Sequence, residues 1–244
     1  MNGPLRVLVT GASSGIGEAV AQRFRQERAE LVLTGRRAEP PAGTGPDELY
    51  LPADLSDESE VGRIVREAVG RLGEVDSLVL CHGLQRDAAL TEMSLEDASA
   101  VMDANLLSVF TVVKHAVPHM SRERGSIVCV SSRLGMVGIP GQVMYSAAKG
   151  GLIMFARAAA IELAPQGIRV NVAAPGLTLT PSIRAAFAKK EDPAAYTAQR
   201  ASTIPLRRLA EPHEVADPVY FLASPASSYV TGAVLPIDGG YTAC

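Results

Sequence analysis

The feature that most constrains the fold is an alternation of short apolar runs with longer helical stretches. Leu5–Thr10, Glu30–Gly35, Val75–Cys81, Ser126–Ser132 and Ile168–Ala174 are rich in β-branched residues and apolar almost throughout. Parallel strands covered on both faces read this way. Between them, Ile16–Arg28, Glu58–Leu72, Leu95–Arg122 and Met144–Ala164 carry helical patterns, and shorter strands are expected near Leu49–Leu51 and Ala233–Ile237. The repetition predicts an α/β chain: a single-domain doubly wound, Rossmann-like parallel sheet with helices on both faces. No linker long enough to divide residues 1–244 interrupts it.

Two segments depart from the rhythm. Pro40–Asp47, rich in Pro and Gly, is expected to be a surface loop. Residues 178–208 have weak periodicity and mixed polarity, with Pro193 and Pro205 inside. A stretch of this length within a compact domain is usually functional. It is expected to form a substrate-covering flap with one or two short helices.

The first strand ends in Thr10-Gly11-Ala12-Ser13-Ser14-Gly15-Ile16-Gly17, which opens the first helix. A glycine turn lets a ligand approach the backbone, and the free N–H groups and dipole at a helix start attract a pyrophosphate. The spacing is GxxxGxG rather than the commoner GxGxxG. A glycine loop alone is as often a turn; its place between strand and helix favours a dinucleotide. Where the second strand ends, an enzyme that binds an unphosphorylated adenosine ribose usually carries an acid. Here Gly35 is followed by Arg36 and Arg37. The planar donor fork of Arg suits a phosphate, so NADP(H) is favoured and NAD(H) stays possible.

Tyr145 and Lys149 are four apart at the start of a long helix, hence on one face. A free phenol has a pKa near about 10, which a neighbouring cation lowers. The pair can therefore exchange a proton with a carbonyl or alcohol oxygen. The preceding strand runs into Ser131 and Ser132, at the end of the sheet where doubly wound folds bind ligands. Ser132 can donate to a developing oxyanion. Ser131 competes for that role, although alternation points the two side chains apart. Asn105 falls mid-helix, where Asn is a mediocre helix former.

Taken together, TGASSGIG, Asn105, Ser132 and the Tyr145/Lys149 pair resemble the short-chain dehydrogenase/reductase family. Asp54-Leu55, Asn171-Val172-Ala173-Ala174-Pro175-Gly176, Thr231-Gly232 and Asp238-Gly239-Gly240 extend the resemblance over essentially the whole chain. The combination is specific; no single motif is. The layout is similar to that of 3-oxoacyl carrier-protein reductase-like members. The resemblance implies Tyr145 as general acid in reduction and base in oxidation. It implies that Lys149 lowers the Tyr145 pKa and holds the nicotinamide ribose, that Ser132 orients the substrate oxygen, and that Asn105 holds a water linking Lys149 to solvent. Cofactor contacts are expected from Gly11, Ser13, Ser14, Gly15, Ile16, Gly17, Arg36, Arg37, Asp54, Leu55, Cys81, Gly83, Tyr145, Lys149, Pro175, Gly176, Thr178 and Thr180. One departure stands out: Leu80-Cys81-His82-Gly83 replaces the family's Asn-Asn-Ala-Gly, so both bracing amides are lost. Ser14 also stands where many NADP-preferring members carry a basic residue.

Residues between Ser132 and Tyr145 are expected to line the substrate side: Ser132, Arg133, Leu134, Met136, Gln142, Met144 and Tyr145. Arg133 suggests an anionic substrate group, or else an internal or interface ion pair. The reaction class the resemblance implies is hydride transfer between NADP(H) and a carbonyl or secondary alcohol. The alternatives are an NAD(H)-dependent alcohol dehydrogenase of the same family, or a non-catalytic nicotinamide-binding regulator. A net charge of −3 without a basic tail argues against a nucleic-acid partner. Cys81, Cys129 and Cys244 have no metal-ligand spacing, so no metal is expected and a reducing, cytoplasmic setting fits. No membrane association is expected, since no run reaches the eighteen or so apolar residues of a span. The helix from Met144 is apolar nearly all round, which leaves a face for a partner subunit; the resemblance implies a homotetramer or dimer.

Overall fold

The computed structural model describes residues 3–243. Seven parallel strands are arranged in the order β3-β2-β1-β4-β5-β6-β7. They are β1 (Arg6–Thr10), β2 (Glu30–Gly35), β3 (Leu49–Pro52), β4 (Ser77–Leu80), β5 (Ser126–Val130), β6 (Arg169–Pro175) and β7 (Val234–Ile237). Every predicted strand is present, in the predicted doubly wound arrangement. Alternate residues feed two cores. Leu8, Val32, Leu78, Ile127 and Val170 join the core under α2 (Glu58–Leu72), α4 (Ser108–Ala116) and α5 (Val143–Leu163). Val7, Val9, Leu31, Val79 and Val128 join the core under α1 (Gly15–Gln26) and α8 (Pro212–Ala223). Burial on both faces explains why the strand sequences do not alternate with polar residues.

The sheet reverses direction of growth between β1 and β4, which lie side by side. A crevice opens there at the carboxyl ends of the strands. It receives the loop after β1 and the Cys81-His82-Gly83 turn after β4, whose Cys81 N–H donates to Thr10 O at 3.2 Å.

Two elements differ from the sequence reading. The stretch read as one helix, Leu95–Arg122, comprises α3 (Leu95–Met102), a wider π-turn over Asp103–Leu107, α4, and a tight turn at Val117–His119 where Pro118 cannot continue the helix. The run Leu95–His119 also reaches the length and apolar character of a membrane span, with mean hydropathy 1.3. Its Val109, Val112, Val113 and Ala116 pack into the core. Helix α8 was not anticipated because Pro218 interrupts its pattern. Its start is marked instead by Pro212 at the first position and by Glu214, whose carboxylate accepts from the Glu211 N–H at 2.9 Å. Residues 178–208 contain two short helices, α6 (Pro181–Ala188) and α7 (Pro193–Ser202), each begun by a capping side chain and a proline, Thr180-Pro181 and Asp192-Pro193. A bidentate pair from Arg184 to Glu211 ties α6 to the start of α8.

Candidate active site

Two adjoining cavities of about 430 and 410 Å³ open at the carboxyl ends of the strands, sharing Ser14, Cys81, His82, Gly83 and Leu84. The first runs from the glycine loop to the ends of β2 and β3. Gly11, Ser13, Ser14, Arg36, Asp54 and Leu55 line it, as the sequence predicts. Helices α2, α3, α6 and α7 begin with side chains that cap their N–H groups, but Ser14, at the start of α1, makes no such bond. The donors there are left for a ligand, which fits a pyrophosphate.

Gly35 is fixed by crowding. A Cβ at this position would lie 2.8 Å from Ser13 Oγ and 3.1 Å from the Tyr50 hydroxyl. An acidic side chain is thereby excluded from the end of β2. The two arginines that follow divide their tasks. Arg36 lines the cavity, while Arg37 donates to Ser13 O at 3.2 Å and is absent from the cavity wall. Arg37 thus braces the glycine loop rather than facing the cavity as expected. Asp54 accepts from the Ser56 hydroxyl and N–H at 2.7 and 3.0 Å; these bonds, the hydroxyl first, hold its carboxyl below the usual range.

The second cavity brings together Gly15, Ile16, Gly17, Asn105, Ser132, Arg133, Tyr145, Lys149, Pro175, Gly176, Thr178 and Thr180. All four predicted catalytic residues face it. Ser131 also lines the cavity, but its hydroxyl is engaged, donating to Lys149 O at 2.9 Å. The Ser132 hydroxyl accepts from the Leu134 N–H at 3.1 Å, which fixes its orientation. Lys149 is buried, and its ammonium donates to Val130 O at 3.0 Å and lies 5.8 Å from the centre of the Tyr145 ring. Burial brings the Lys149 pKa down to about 8. Burial also raises the Tyr145 pKa above its ordinary value, outweighing an opposing effect of the Ser132 hydroxyl. The net direction is thus opposite to the lowering expected from Lys149, and the phenol is held in its protonated form.

Asn105 lies in the π-turn and is fully buried. Its Nδ2 donates to Val101 O at 2.8 Å, taking the acceptor that its own N–H would use in an α-helix. Nδ2 also donates to Leu84 O at 2.6 Å, and Oδ1 accepts from the Leu84 N–H at 3.4 Å. The side chain therefore opens the helix and fixes the loop after β4. A Cβ at Gly83 would fall 2.5 Å from Asn105 Oδ1 and 3.5 Å from Lys149 Nζ, so these two groups flank one small space that glycine keeps clear.

His82 makes good the loss of the family's amides. Its Nδ1 lies 2.6 Å from the Thr10 hydroxyl and its Nε2 3.0 Å from that of Ser108, so the ring bridges β1 and α4. Burial, followed by the nearby Lys149 charge, brings its pKa down to about 3, which keeps it neutral.

The predicted substrate residues divide. Leu134 joins Ser132, Arg133 and Tyr145 on the cavity wall, whereas Met136, Met144 and Gln142 do not. Gln142 is turned to the Asp87 carboxylate, joining the loop after β4 to the loop before α5. Ile139, Leu177, Ile183 and Arg200 line the cavity without having been anticipated. Three of these are ordinary apolar residues; Arg200 reaches the wall from α7, whose place only the fold defines.

A family model described as Enoyl-(Acyl carrier protein) reductase matches residues 11–242. The chain belongs to the short-chain dehydrogenase/reductase family and is an NAD(P)-dependent oxidoreductase. It is 42% identical to the 3-oxoacyl-acyl-carrier-protein reductase FabG of Thermotoga maritima, with 96% of each chain covered. It is 40% identical to the cis-4-hydroxycyclohexanecarboxylate dehydrogenase of Sinomonas cyclohexanicum, over 97% of this chain and 96% of that one. Among solved structures, ElxO with NADP bound matches at a TM-score of 0.93 and 30% identity, covering 99% of this chain and all of that one.

Proposed function

We propose that the chain interconverts a ketone and a secondary alcohol with NADP(H), using Tyr145 as the proton donor and acceptor. The observation that carries this reading is the meeting of the Ser132, Tyr145 and Lys149 side chains at one cavity that continues into the uncapped start of α1. The names of the two relatives agree in the reacting group: one is a 3-oxo and the other a 4-hydroxy compound.

Gly11 to Gly17 would hold the pyrophosphate, Asp54 and Leu55 the adenine, Tyr145 and Lys149 the nicotinamide ribose, with Pro175, Gly176, Thr178 and Thr180 beside the nicotinamide. When bound, the cofactor supplies or accepts the hydride. In reduction, the Tyr145 hydroxyl gives its proton to the carbonyl oxygen. Ser132 donates a hydrogen bond to the same oxygen as charge grows on it. Lys149, cationic below about pH 8, favours the phenolate left behind. Asn105 Oδ1 and Lys149 Nζ would hold a water in the space at Gly83, which returns the proton from solvent. Helices α6 and α7 form the flap that covers the substrate.

NADP(H) is favoured because Gly35 excludes an acid at the end of β2 while Arg36 lines the cavity. Exposed Leu95, Phe110, Met154 and Ile161 on α3 to α5 support a homotetramer or dimer, which light scattering would resolve. Unpaired Cys81 and Cys129 suit a reducing cytoplasm.

The direct test follows nicotinamide absorbance with a panel of ketones. NADPH oxidation, at least tenfold more efficient than NADH oxidation, is expected. Cofactor binding without turnover of any ketone or alcohol would favour a non-catalytic binder, and equal use of NADH would remove the cofactor preference.

A further inference from the structure

Arg133 follows Ser132 directly and is only 5% exposed. Its guanidinium carbon lies 3.7 Å from the centre of the Tyr241 ring, and its buried Nη1 has no hydrogen-bond partner. Among the described residues no carboxylate forms an ion pair with it. The acid whose field reaches it, Asp238, is engaged elsewhere: its oxygens accept from the N–H groups of Gly240 and Thr242 and from the Thr242 hydroxyl. An arginine stays charged in proteins, so a whole cation is buried next to Ser132 with no carboxylate in contact with it among the described residues.

A second, half-buried arginine shows that this is not how the fold ordinarily treats the side chain. Arg169, at the other end of the sheet, donates to the carbonyls of Leu222, Ser224 and Val230 and to the Ser227 hydroxyl. Both of its Nη groups are engaged within the chain. Arg133 faces the cavity instead, and there a second cation, Arg200 from α7, joins the wall without an ion pair of its own among the described residues. Leu134, Ile139, Leu177 and Ile183 add apolar surface to this wall, with Gln85 and Ser182 as further polar lining. Two cations beside these apolar side chains match a small organic anion whose carboxylate pairs with an arginine fork while its carbon frame fills the pocket.

We infer that Arg133, supported by Arg200, receives a carboxylate of the substrate, so that the enzyme acts on a small oxo acid or hydroxy acid. This inference rests on the oxidoreductase reading of the same cavity. The ketone is reduced by the hydride from NADPH and one proton, and the carboxylate is unchanged; it binds and orients.

The test uses two matched pairs, 4-oxopentanoate and 4-oxocyclohexanecarboxylate, each with its methyl ester, in the full-length enzyme with NADPH. The wild-type enzyme is expected to prefer acid over ester by at least tenfold in kcat/KM. Arg133→Met, which keeps length and an apolar contact with Tyr241, is expected to lower that ratio at least tenfold, chiefly through the KM of the acid. Arg200→Gln is expected to lower it severalfold, and supplies the comparison if the Met variant does not fold. Esters reduced as well as acids by the wild-type enzyme, or a ratio unchanged in Arg133→Met, would overturn the inference and leave the ketone reductase standing. A second readout is independent of turnover: calorimetric binding of cyclohexanecarboxylate against cyclohexanecarboxamide to the NADP-bound enzyme. Tighter binding of the carboxylate, lost in Arg133→Met, supports the anion site even if every ketone fails; equal binding of the two overturns it.

Discussion

At the amino end of the sheet, the Asp76 carboxylate is fully buried and saturated. It accepts from the Arg6 N–H, Nε and Nη2 at 2.9, 3.0 and 2.8 Å, and Arg124 lies 3.7 Å away. Burial would raise its pKa, but these partners outweigh burial and hold it below the ordinary range. At the carboxyl end, Lys149 and Arg133 are as deeply buried, and neither has a carboxylate partner among the described residues. One end uses buried charge to join β1 to β4; the other leaves buried cations uncompensated at a cavity. The difference supports reading the first set as holding the fold and the second as proposed ligand contacts, because an unpaired buried charge costs stability.

Substitutions at the two ends should therefore act on different quantities. Asp76→Ala removes the buried partner of Arg6, which keeps Glu74, and of Arg124, and is expected to destabilise the protein by about 3–5 kcal/mol, read by denaturant unfolding, while kcat of the folded fraction stays near that of wild type. A loss below about 1 kcal/mol would remove the structural role given to this end.

His82 sharpens the contrast, since it lies at the ligand end yet acts on stability. Its folded pKa, about 3, is below the unfolded value of 6.5. The unfolded chain then binds the proton first. The contribution of His82 is present above about pH 6.5 and is lost as pH falls toward 3, by about 1.4 kcal/mol per pH unit. Unfolding of the cofactor-free protein should show this slope, and His82→Ala should flatten it. Equal slopes in the two proteins would count against a neutral bridging ring.

The smallest effect belongs to Arg133. Replacing an unpaired buried cation by methionine is expected to leave stability unchanged or raise it by up to about 1 kcal/mol. A loss of several kcal/mol would mean that Arg133 holds the structure, as Asp76 does.

Much of this was legible in the sequence, for reasons that differ along the chain. The strands could be read because both their faces are buried, and Tyr145 and Lys149 because helix periodicity places them on one side. Strand alternation separated Ser131 from Ser132. Helix α8 was hidden by Pro218, although Pro212 and Glu214 mark its start. Arg37 and Gln142 were assigned to ligands, but each is occupied by a neighbouring loop, Arg37 by Ser13 O and Gln142 by Asp87. Spacing alone cannot report such contacts between distant segments. Arg200 was missed because its nearness to Arg133 depends on where α7 lies over the sheet.

The proposed role of the carboxyl end of the sheet is proton transfer through Tyr145. It is tested most directly by Tyr145→Phe, with NADPH affinity measured by fluorescence and turnover measured on a ketone reduced by the wild-type enzyme. NADPH binding is expected to stay within a fewfold of wild type and turnover to fall by about 10²–10⁴-fold, the usual contribution of a positioned general acid. Turnover equal to wild type in a variant that binds NADPH normally would contradict it.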